Sequence, residues 1–398
     1  MLPENLFQLP DLDTLHLDDL PALTSFPDSF GRLPAGQPLG SPALRSLTIH
    51  DCKRLSSLPE SIGQFSALQQ FRLKFLDRLT ALPHSLGFLM ALKELKVVEC
   101  ANLVNLPESV SAMGALTSLI LDGCSFSGLP GDIGQLQNLV TVKLFSTSLS
   151  HLPDSFGQLG QLKELTIYEC YNLFELPASF TNLSSLETLL IYGGSSLIDL
   201  PLGFENLPKL RTLELLNCGM PYLPDRFAEA EEEGTPHAPL IELSRMPGSI
   251  EQAGLGRLSS LVHLHIVNTN LPALPENLGD LRELVVLLLE KCHAMTSLPS
   301  SIVTLPKLQQ IDLKSLPLLT HLPENLGQLK ALNELGLDPC KTLQDLPSSC
   351  TLLSSLIQLS IINCYEGPTQ RLGQFVLSEG GGSGRVYASE GAATLAGG

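Results

Sequence analysis

Nine cysteines are the residues of this chain with the most obvious chemistry, because thiolates bind metals and paired thiols carry out redox reactions. Eight of them share one place in a repeating pattern, directly after a short alternating apolar stretch; they are Cys52, Cys100, Cys124, Cys170, Cys218, Cys292, Cys340 and Cys364. The ninth, Cys350, fills an apolar position in LPSSCTLL, and the chain has no CxxC pair. A small buried thiol can bond the backbone of a turn. We therefore predict structural cysteines, with a metal site or a disulfide between neighbouring copies as the alternative.

The best metal-like cluster is His263 and His265 in LVHLHI, two residues apart and so on one face of a strand. Glu214, at the matching position of the preceding strand, would supply a third ligand of the kind that zinc accepts. The alternative is that both histidines lie on the solvated face of a sheet. We favour that alternative and predict no metal site.

Catalytic motifs are absent from the sequence: it has no HExxH, GxSxG, phosphate-loop or dinucleotide-binding pattern. The GGGSG at 380–384 has no GxxxxGK[ST] context. No cysteine is clearly placed beside a histidine as an activated nucleophile. The sequence therefore predicts a chain that is not an enzyme, with no catalytic residues and no cofactor.

The charge balance narrows the class of partner. The chain has 24 Lys and Arg against 41 Asp and Glu, which argues against bulk binding to nucleic acid or to anionic membranes. No apolar stretch approaches the ~20 residues of a membrane span. The N-terminus MLPENLFQLPDL lacks the features of a signal peptide. We expect a cytoplasmic monomer.

The elements that position these residues come from an internal repeat. Leu-Pro or Phe-Pro pairs recur mostly every 23 or 24 residues, within a template LxxLxLxxCxxLxxLPxxhGxLxx in which h is apolar. Their prolines are Pro3, Pro27, Pro59, Pro83, Pro107, Pro130, Pro153, Pro177, Pro201, Pro224, Pro275, Pro299, Pro323 and Pro347. The LxLxx core alternates as a strand does, and the segment after LP has the spacing of a short helix or 3₁₀ turn. One unit cannot bury its own leucines but stacked units can, which predicts a solenoid of about fourteen coils.

This pattern resembles the leucine-rich repeat family over roughly residues 1–364. The LP-containing copies look like the repeats of plant intracellular immune receptors and of bacterial effectors delivered into host cells. The resemblance implies an α/β horseshoe with a concave parallel β-sheet and convex short helices or 3₁₀ turns, and a binding role. It also places Asn or Cys at the position of the eight cysteines. The nucleotide-binding region of an immune receptor is absent from this sequence.

Two interruptions and a tail divide the chain. The excess residues run near 34–41 and near 231–257, both on the return path after LP. The second is Glu-rich at its start and is predicted to be either disordered or a flap that contacts a partner. Residues 365–398 form a C-terminal tail, predicted to be largely disordered from about 378 because of its Gly- and Ser-rich composition.

The candidate binding surface is the concave face, where the third, fifth and seventh residues of LxxLxLx point. The seventh position carries an apolar and aromatic run on five successive strands, made of Phe145, Tyr168, Tyr192, Leu216 and Val267. Ile120 and Leu190 at the fifth position widen it. Exposed patches of this kind are commonly binding sites. The alternative is that the run packs against itself or against a neighbouring loop.

Beside it lies a basic ladder of Arg72, Lys96 and Lys143 at the fifth position, with Lys74 at the seventh. Like charges on neighbouring strands need relief from counter-charges or a ligand. Either Glu94 and Glu164 at the third position supply that relief, or an acidic segment of a partner does.

Together these observations predict a non-catalytic module that binds a protein partner on its concave face, in immune sensing or as a host-targeting effector. The alternative is the substrate-recognition part of a larger enzyme, such as a ubiquitin-ligase effector. A weaker third hypothesis is an adhesive surface repeat, in which the sequon at Asn182 would be a glycosylation site.

Overall fold

We analysed a computed structural model of the chain, which describes residues 2, 9, 11–27, 30, 44–197, 200–218, 255–362, 364 and 385–388. Its architecture is one open sheet of fifteen strands, all paired in parallel and in sequence order. This confirms the predicted α/β solenoid with a concave parallel sheet. No helix in the described ranges is long and apolar enough to cross a membrane.

Fourteen strands, one per coil, correspond to positions three to seven of the LxxLxLx core. They are β1 (Thr14–Asp18), β2 (Ser46–His50), β3 (Gln70–Lys74), β4 (Glu94–Val98), β5 (Ser118–Asp122), β6 (Thr141–Phe145), β7 (Glu164–Tyr168), β8 (Thr188–Tyr192), β9 (Thr212–Leu216), β10 (His263–Val267), β11 (Val286–Glu290), β12 (Gln310–Lys314), β13 (Glu334–Asp338) and β14 (Gln358–Ile361). In most of them the second and fourth residues are buried and the other three face solvent. This alternation puts the leucines into the core and fixes the register of every strand.

The segment after each LP forms a 3₁₀ turn, as the spacing predicted. The described turns are Glu60–Gln64, His84–Phe88, Glu108–Ala112, Ile133–Gln135, Asp154–Gln158, Ala178–Asn182, Phe204–Asn206, Leu255–Arg257, Glu276–Asp280, Ser300–Thr304, Leu326–Gln328 and Ser348–Leu352. Proline commonly precedes the first residue of the turn in extended conformation, as Pro83 does with φ −68°. Its missing N–H costs nothing there, because the start of a helix has no partner for it.

The interruptions lie almost wholly outside the described residues. Nothing is described for 34–41, and of 231–257 only the 3₁₀ turn Leu255–Arg257 is described. In the tail, a fifteenth strand, β15 (Arg385–Ala388), pairs in parallel with β14. The largely disordered state of the tail from about 378 stays a prediction.

After twelve of the strands, the eighth residue of the repeat is left-handed and turns the chain out of the sheet. Twelve coils share this conformation, at Asp19, Asp51, Phe75, Glu99, Gly123, Ser146, Glu169, Gly193, Asn217, Asn268, Lys291 and Ser315. The N–H of the eighth residue donates to the seventh residue of the next coil, as from Glu169 to the Tyr192 carbonyl at 2.7 Å. The turn therefore extends the strand ladder by one hydrogen bond.

All nine cysteines are free thiols and buried. The sulfur atoms of the eight cysteines that follow strands bond backbone carbonyls near the strand ends, as Cys124 Sγ does with the Asp122 carbonyl at 3.2 Å and Cys364 Sγ with the Leu337 carbonyl at 3.2 Å. In two of the coils that lack this cysteine, Thr147 and Thr269 take its place, and Thr147 Oγ1 lies 3.1 Å from Cys170 Sγ. These contacts explain the cysteine ladder as part of the scaffold.

The coils are spaced more widely under the convex turns than on the sheet. Stacked rings of Tyr168 and Tyr192 on the sheet lie 4.5 Å apart, close to the ~4.8 Å between strands. The stacked rings of Phe156 and Phe180, and of Phe180 and Phe204, which belong to the 3₁₀ turns, lie 6.4 and 6.3 Å apart. This difference bends the solenoid toward the sheet and makes the sheet its concave face.

Candidate protein-binding face

The concave face places the predicted site residues in continuous columns. The seventh-position residues pair in register from strand to strand, so Phe145 is opposite Tyr168, Tyr168 opposite Tyr192 and Tyr192 opposite Leu216. At the fifth position, Ile120 is opposite Lys143 and Leu190 is opposite Glu214. The columns run across the strands, so a bound segment that follows them would cross the coils.

Three rings form the centre of this face, and we call Phe145, Tyr168 and Tyr192 the aromatic patch. The Tyr168 and Tyr192 rings stack at 4.5 Å with an interplanar angle of 8°, and the Phe145 ring is tilted against Tyr168 at 6.0 Å. Tyr168 keeps 37% of its surface exposed, while Phe145, Tyr192, Leu190 and Leu216 are half-buried. The rings thus contact one another and still present apolar surface to solvent.

Val267 does not belong to this exposed run. It pairs with Leu216 and Glu290 on the neighbouring strands, but only 9% of its surface is exposed. Its side chain is shorter than both neighbours, so it lies below the surface that they form. Its role as a partner-binding residue stays a prediction, without the exposure on which it was based.

The basic ladder divides into two pairs with different surroundings. Arg72 Nε lies 2.5 Å from Glu94 Oε1, and this hydrogen bond raises the pKa of Arg72. Lys143 Nζ lies 2.7 Å from Glu164 Oε1. Glu94 and Glu164 therefore supply counter-charges to these two cations.

Lys74 and Lys96 form the other pair. Both are half-buried, and neither makes a salt bridge within the described part of the chain. Burial raises the pKa of the Asp122 carboxyl, on the strand after Lys96, and the positive charge of Lys96 opposes that rise. The cations of the ladder that remain open to a ligand are thus Lys74 and Lys96.

Two exposed aromatic residues were missed by the sequence reasoning. Tyr171, two residues beyond Glu169, is 52% exposed, and partial desolvation and the Glu169 charge raise the pKa of both Tyr168 and Tyr171. Phe75 occupies the eighth position and is 42% exposed. Neither lies in the strand columns. The available signal was a bulky aromatic at turn positions that are mostly polar or glycine in other coils.

The possible metal ligands do not assemble into a site. His265 is opposite Glu214, with Nδ1 4.0 Å from Oε2, whereas His263 is opposite Thr212. Burial lowers the pKa of His265, which favours its neutral form. Within the described ranges, no group of three or more His, Cys, Asp or Glu side chains could hold a metal ion.

Comparisons with known proteins found several similar chains. A family model described as a leucine-rich repeat region matches residues 114–231. A leucine-rich-repeat protein of Leptospira interrogans is 26% identical, with 91% of this chain and 94% of that chain covered and a TM-score of 0.50. The leucine-rich-repeat domain of the type III effector XopL is 30% identical over 54% of this chain and 73% of its own, with a TM-score of 0.47.

A more distant structure shares the fold. The Drosophila Toll–Spätzle complex matches at 17% identity and a TM-score of 0.55, covering 92% of this chain and 46% of that one. No curated protein sequence matches significantly. The repeat template, the matching family model and the fifteen-stranded parallel sheet together show that this chain belongs to the leucine-rich repeat family.

Proposed function

We propose that this chain is a non-catalytic recognition module that binds a protein partner on its concave face. The observation that carries the proposal is the aromatic patch, in which two stacked tyrosines and a tilted phenylalanine lie on a mainly polar sheet face. Large rigid rings offer contact area at low entropic cost, and tyrosine is enriched among the residues that dominate interface affinity.

The surroundings of the patch suit a protein more than a small molecule or nucleic acid. Half-buried Leu190 and Leu216 extend the apolar surface, and hydrogen-bonding side chains such as Thr166 and Thr188 border it. A net charge of −17 opposes a polyanion as the main ligand. An apolar centre with a polar rim is the usual composition of a protein–protein interface.

The cellular setting we propose is the cytoplasm, in immune sensing or as an effector that captures a host protein. Nine unpaired thiols are compatible with a reducing compartment. The immune or effector role is proposed because the LP-containing repeats resemble those of plant intracellular immune receptors and of bacterial effectors.

The test is an affinity capture from lysate of the native cell, read by mass spectrometry. It compares the intact chain with the triple variant Phe145→Ala, Tyr168→Ala, Tyr192→Ala. The matched control is the triple variant Phe88→Ala, Met90→Ala, Leu352→Ala, which removes the same number of exposed apolar side chains from the convex turns and their flanks. Circular dichroism verifies the fold of all three.

We expect a protein that the intact chain and the convex control retain and the concave variant loses. Equal retention by all three proteins would refute the assignment of the concave patch. Loss from the convex control alone would move the binding surface to the opposite face.

A further inference from the structure

Phe75 is the most unusual residue of the strand-ending turns. Ten of the twelve described left-handed positions carry residues other than glycine, and nine of those are Asp, Glu, Asn, Ser or Lys. Phe75 adopts the same conformation with φ 53°. A bulky side chain is disfavoured there by about 1 kcal/mol or more, and such outliers concentrate at functional positions.

The fold does not use the Phe75 ring in its core. The ring is 42% exposed, and its one described ring contact is an edge contact with His50 at 5.4 Å. The buried side of this coil is already filled by Leu73 and Leu76. The scaffold therefore gives no reason for an aromatic side chain at this strained position.

Phe75 directly follows Lys74 and lies one strand away from Lys96, and these lysines are the cations of the basic ladder that make no salt bridge within the described residues. Lys74 precedes it and is opposite Val98 on β4, while Lys96 stands two residues before Val98 on the same concave face. Glu99, at the same turn position of the next coil, is directed over Gly123, where its carboxylate fills the place that a Cβ of residue 123 would take. Asp51, at that position in the preceding coil, forms a salt bridge with Lys53 at 3.4 Å. Lys74, at the end of β3, and Lys96, in β4, thus place two positive charges near the exposed ring of Phe75.

We propose that Lys74, Phe75 and Lys96 form a second anchor for the protein partner, which we call the cationic corner. At this corner an acidic side chain of the partner binds the two lysines, and an adjacent apolar side chain of the partner packs against Phe75. This inference rests on the proposed function, because the same partner occupies the aromatic patch.

The spacing fits one short segment. From β4 to β7 there are three strand intervals, or about 14 Å, which an extended chain crosses in roughly four residues. Between the two anchors, the fifth and seventh columns carry Val98, Ile120 and one acidic side chain, Asp122, which is opposite both Val98 and Phe145. The partner we infer is therefore an extended peptide with an acidic residue about four residues from an aromatic or aliphatic one.

The experiment selects a phage-displayed library of random 12-residue peptides on the intact chain. Representative peptides from the selected pool are then synthesised. Calorimetry measures their affinity for the intact chain, for Phe75→Asn and for the double variant Lys74→Glu, Lys96→Glu. Asparagine stands at the same turn position in Asn217 and Asn268, so Phe75→Asn should keep or raise the melting temperature. The matched charge control is Lys93→Glu, Lys209→Glu, which changes two exposed lysines off the concave columns.

We expect the pool to be enriched in peptides with the acidic and apolar spacing. Binding should fall at least tenfold in both corner variants and stay within about twofold in the charge control. If the peptides bind both corner variants normally and fail to bind only the Phe145→Ala, Tyr168→Ala, Tyr192→Ala variant, the cationic corner is not an anchor. The proposed function would still stand in that case. An empty selection would overturn recognition of a short linear segment, and the lysate capture would still decide the proposed function.

A fluorescent single-stranded RNA of twelve nucleotides is measured in parallel. Tighter binding of this RNA than of the peptides, lost on reversal of the two lysines, would overturn the assignment of a peptide partner.

Discussion

In six described coils a glycine follows the apolar h residue of the LPxxh segment, on the face of the coil opposite to the seventh residue of the strand. At these glycines the next coil leaves no room for a side chain, whereas five other described coils carry Ser111, Thr181, Glu205, Val303 and Thr351 there. A Cβ would come within 1.9 to 2.6 Å of the following coil's serine carbonyl at Gly63, Gly87, Gly134, Gly157, Gly279 and Gly327. The seventh position has no such constraint and changes from aspartate to lysine to tyrosine along the sheet.

This difference separates scaffold from surface in physical terms. A convex substitution is limited by backbone atoms of a neighbouring coil, which cannot move without shifting the stack. A concave substitution meets mainly solvent and two side chains on adjacent strands. A recurring glycine therefore indicates packing, and we propose binding as the reason for a run of one residue class on the variable face, such as the aromatic patch.

The largest expected effect follows from adding one methyl group to the convex glycines. Gly157→Ala places a Cβ 1.9 Å from the Ser179 carbonyl oxygen and should lower the free energy of unfolding by about 1–3 kcal/mol. Urea denaturation followed by circular dichroism measures it.

Gly114→Ala is the matched control, because no atom lies within 4 Å of its added Cβ. We expect a change within about 0.5 kcal/mol for this variant. Equal losses in both variants would mean that glycine is required for backbone freedom, and that close approach of the coils is not the cause.

The regular part of the molecule could be predicted from the sequence because every coil must bury the same template positions against its neighbours. The LxLxx alternation predicted the strands and their faces, and the template position of the cysteines predicted burial beside a turn. Pairing of Arg72 and Lys143 with Glu94 and Glu164 was one of two alternatives that a two-residue strand period allowed.

The features that could not be predicted depend on side chains and strands of neighbouring coils, which the repeat template does not describe. Val267 has the type and position of an exposed residue, yet Leu216 and Glu290 are both longer and rise above it. Phe75 lies one residue beyond the strand columns, and its exposure follows from a left-handed φ that the template does not encode. Pairing of β15 with β14 required a partner strand that the repeat count did not include.

A smaller effect than that of Gly157→Ala is expected for the contact between the stacked rings of Tyr168 and Tyr192. A double-mutant cycle of Tyr168→Ala and Tyr192→Ala should give a coupling energy of about 0.5–1.5 kcal/mol, because the rings contact each other at 4.5 Å. The same cycle with Tyr→Phe substitutions keeps both rings and should give almost no coupling. Coupling in the phenylalanine cycle as large as in the alanine cycle would assign the interaction to the hydroxyl groups and would contradict an apolar contact between the two rings.

The smallest expected effect concerns a carboxylate that joins two convex turns. Glu60 accepts the Ser85 N–H at 2.8 Å and the His84 N–H at 3.2 Å. Burial acts to raise the pKa of Glu60, but these hydrogen bonds outweigh it and the pKa is lowered from its ordinary 4.5. The ionised form is thus favoured in the folded chain, so its contribution is present above pH 4.5 and is lost as the pH falls through the lowered value.

Glu60→Gln should therefore lower the free energy of unfolding at pH 7 by less than about 1 kcal/mol, since the carboxylate is mostly exposed. The difference from the parent chain should narrow as the pH falls below 4.5, as measured by urea midpoints at each pH. Glu175→Gln serves as the control, because Glu175 is exposed and receives no such pair of N–H groups from the next coil. A difference for Glu60→Gln that is constant with pH would show that the neutral amide accepts these hydrogen bonds as well as the carboxylate does. The glutamate after LP would then contribute shape to the convex face, and its charge would be free to vary as it does at His84 and Ala178 in the same position.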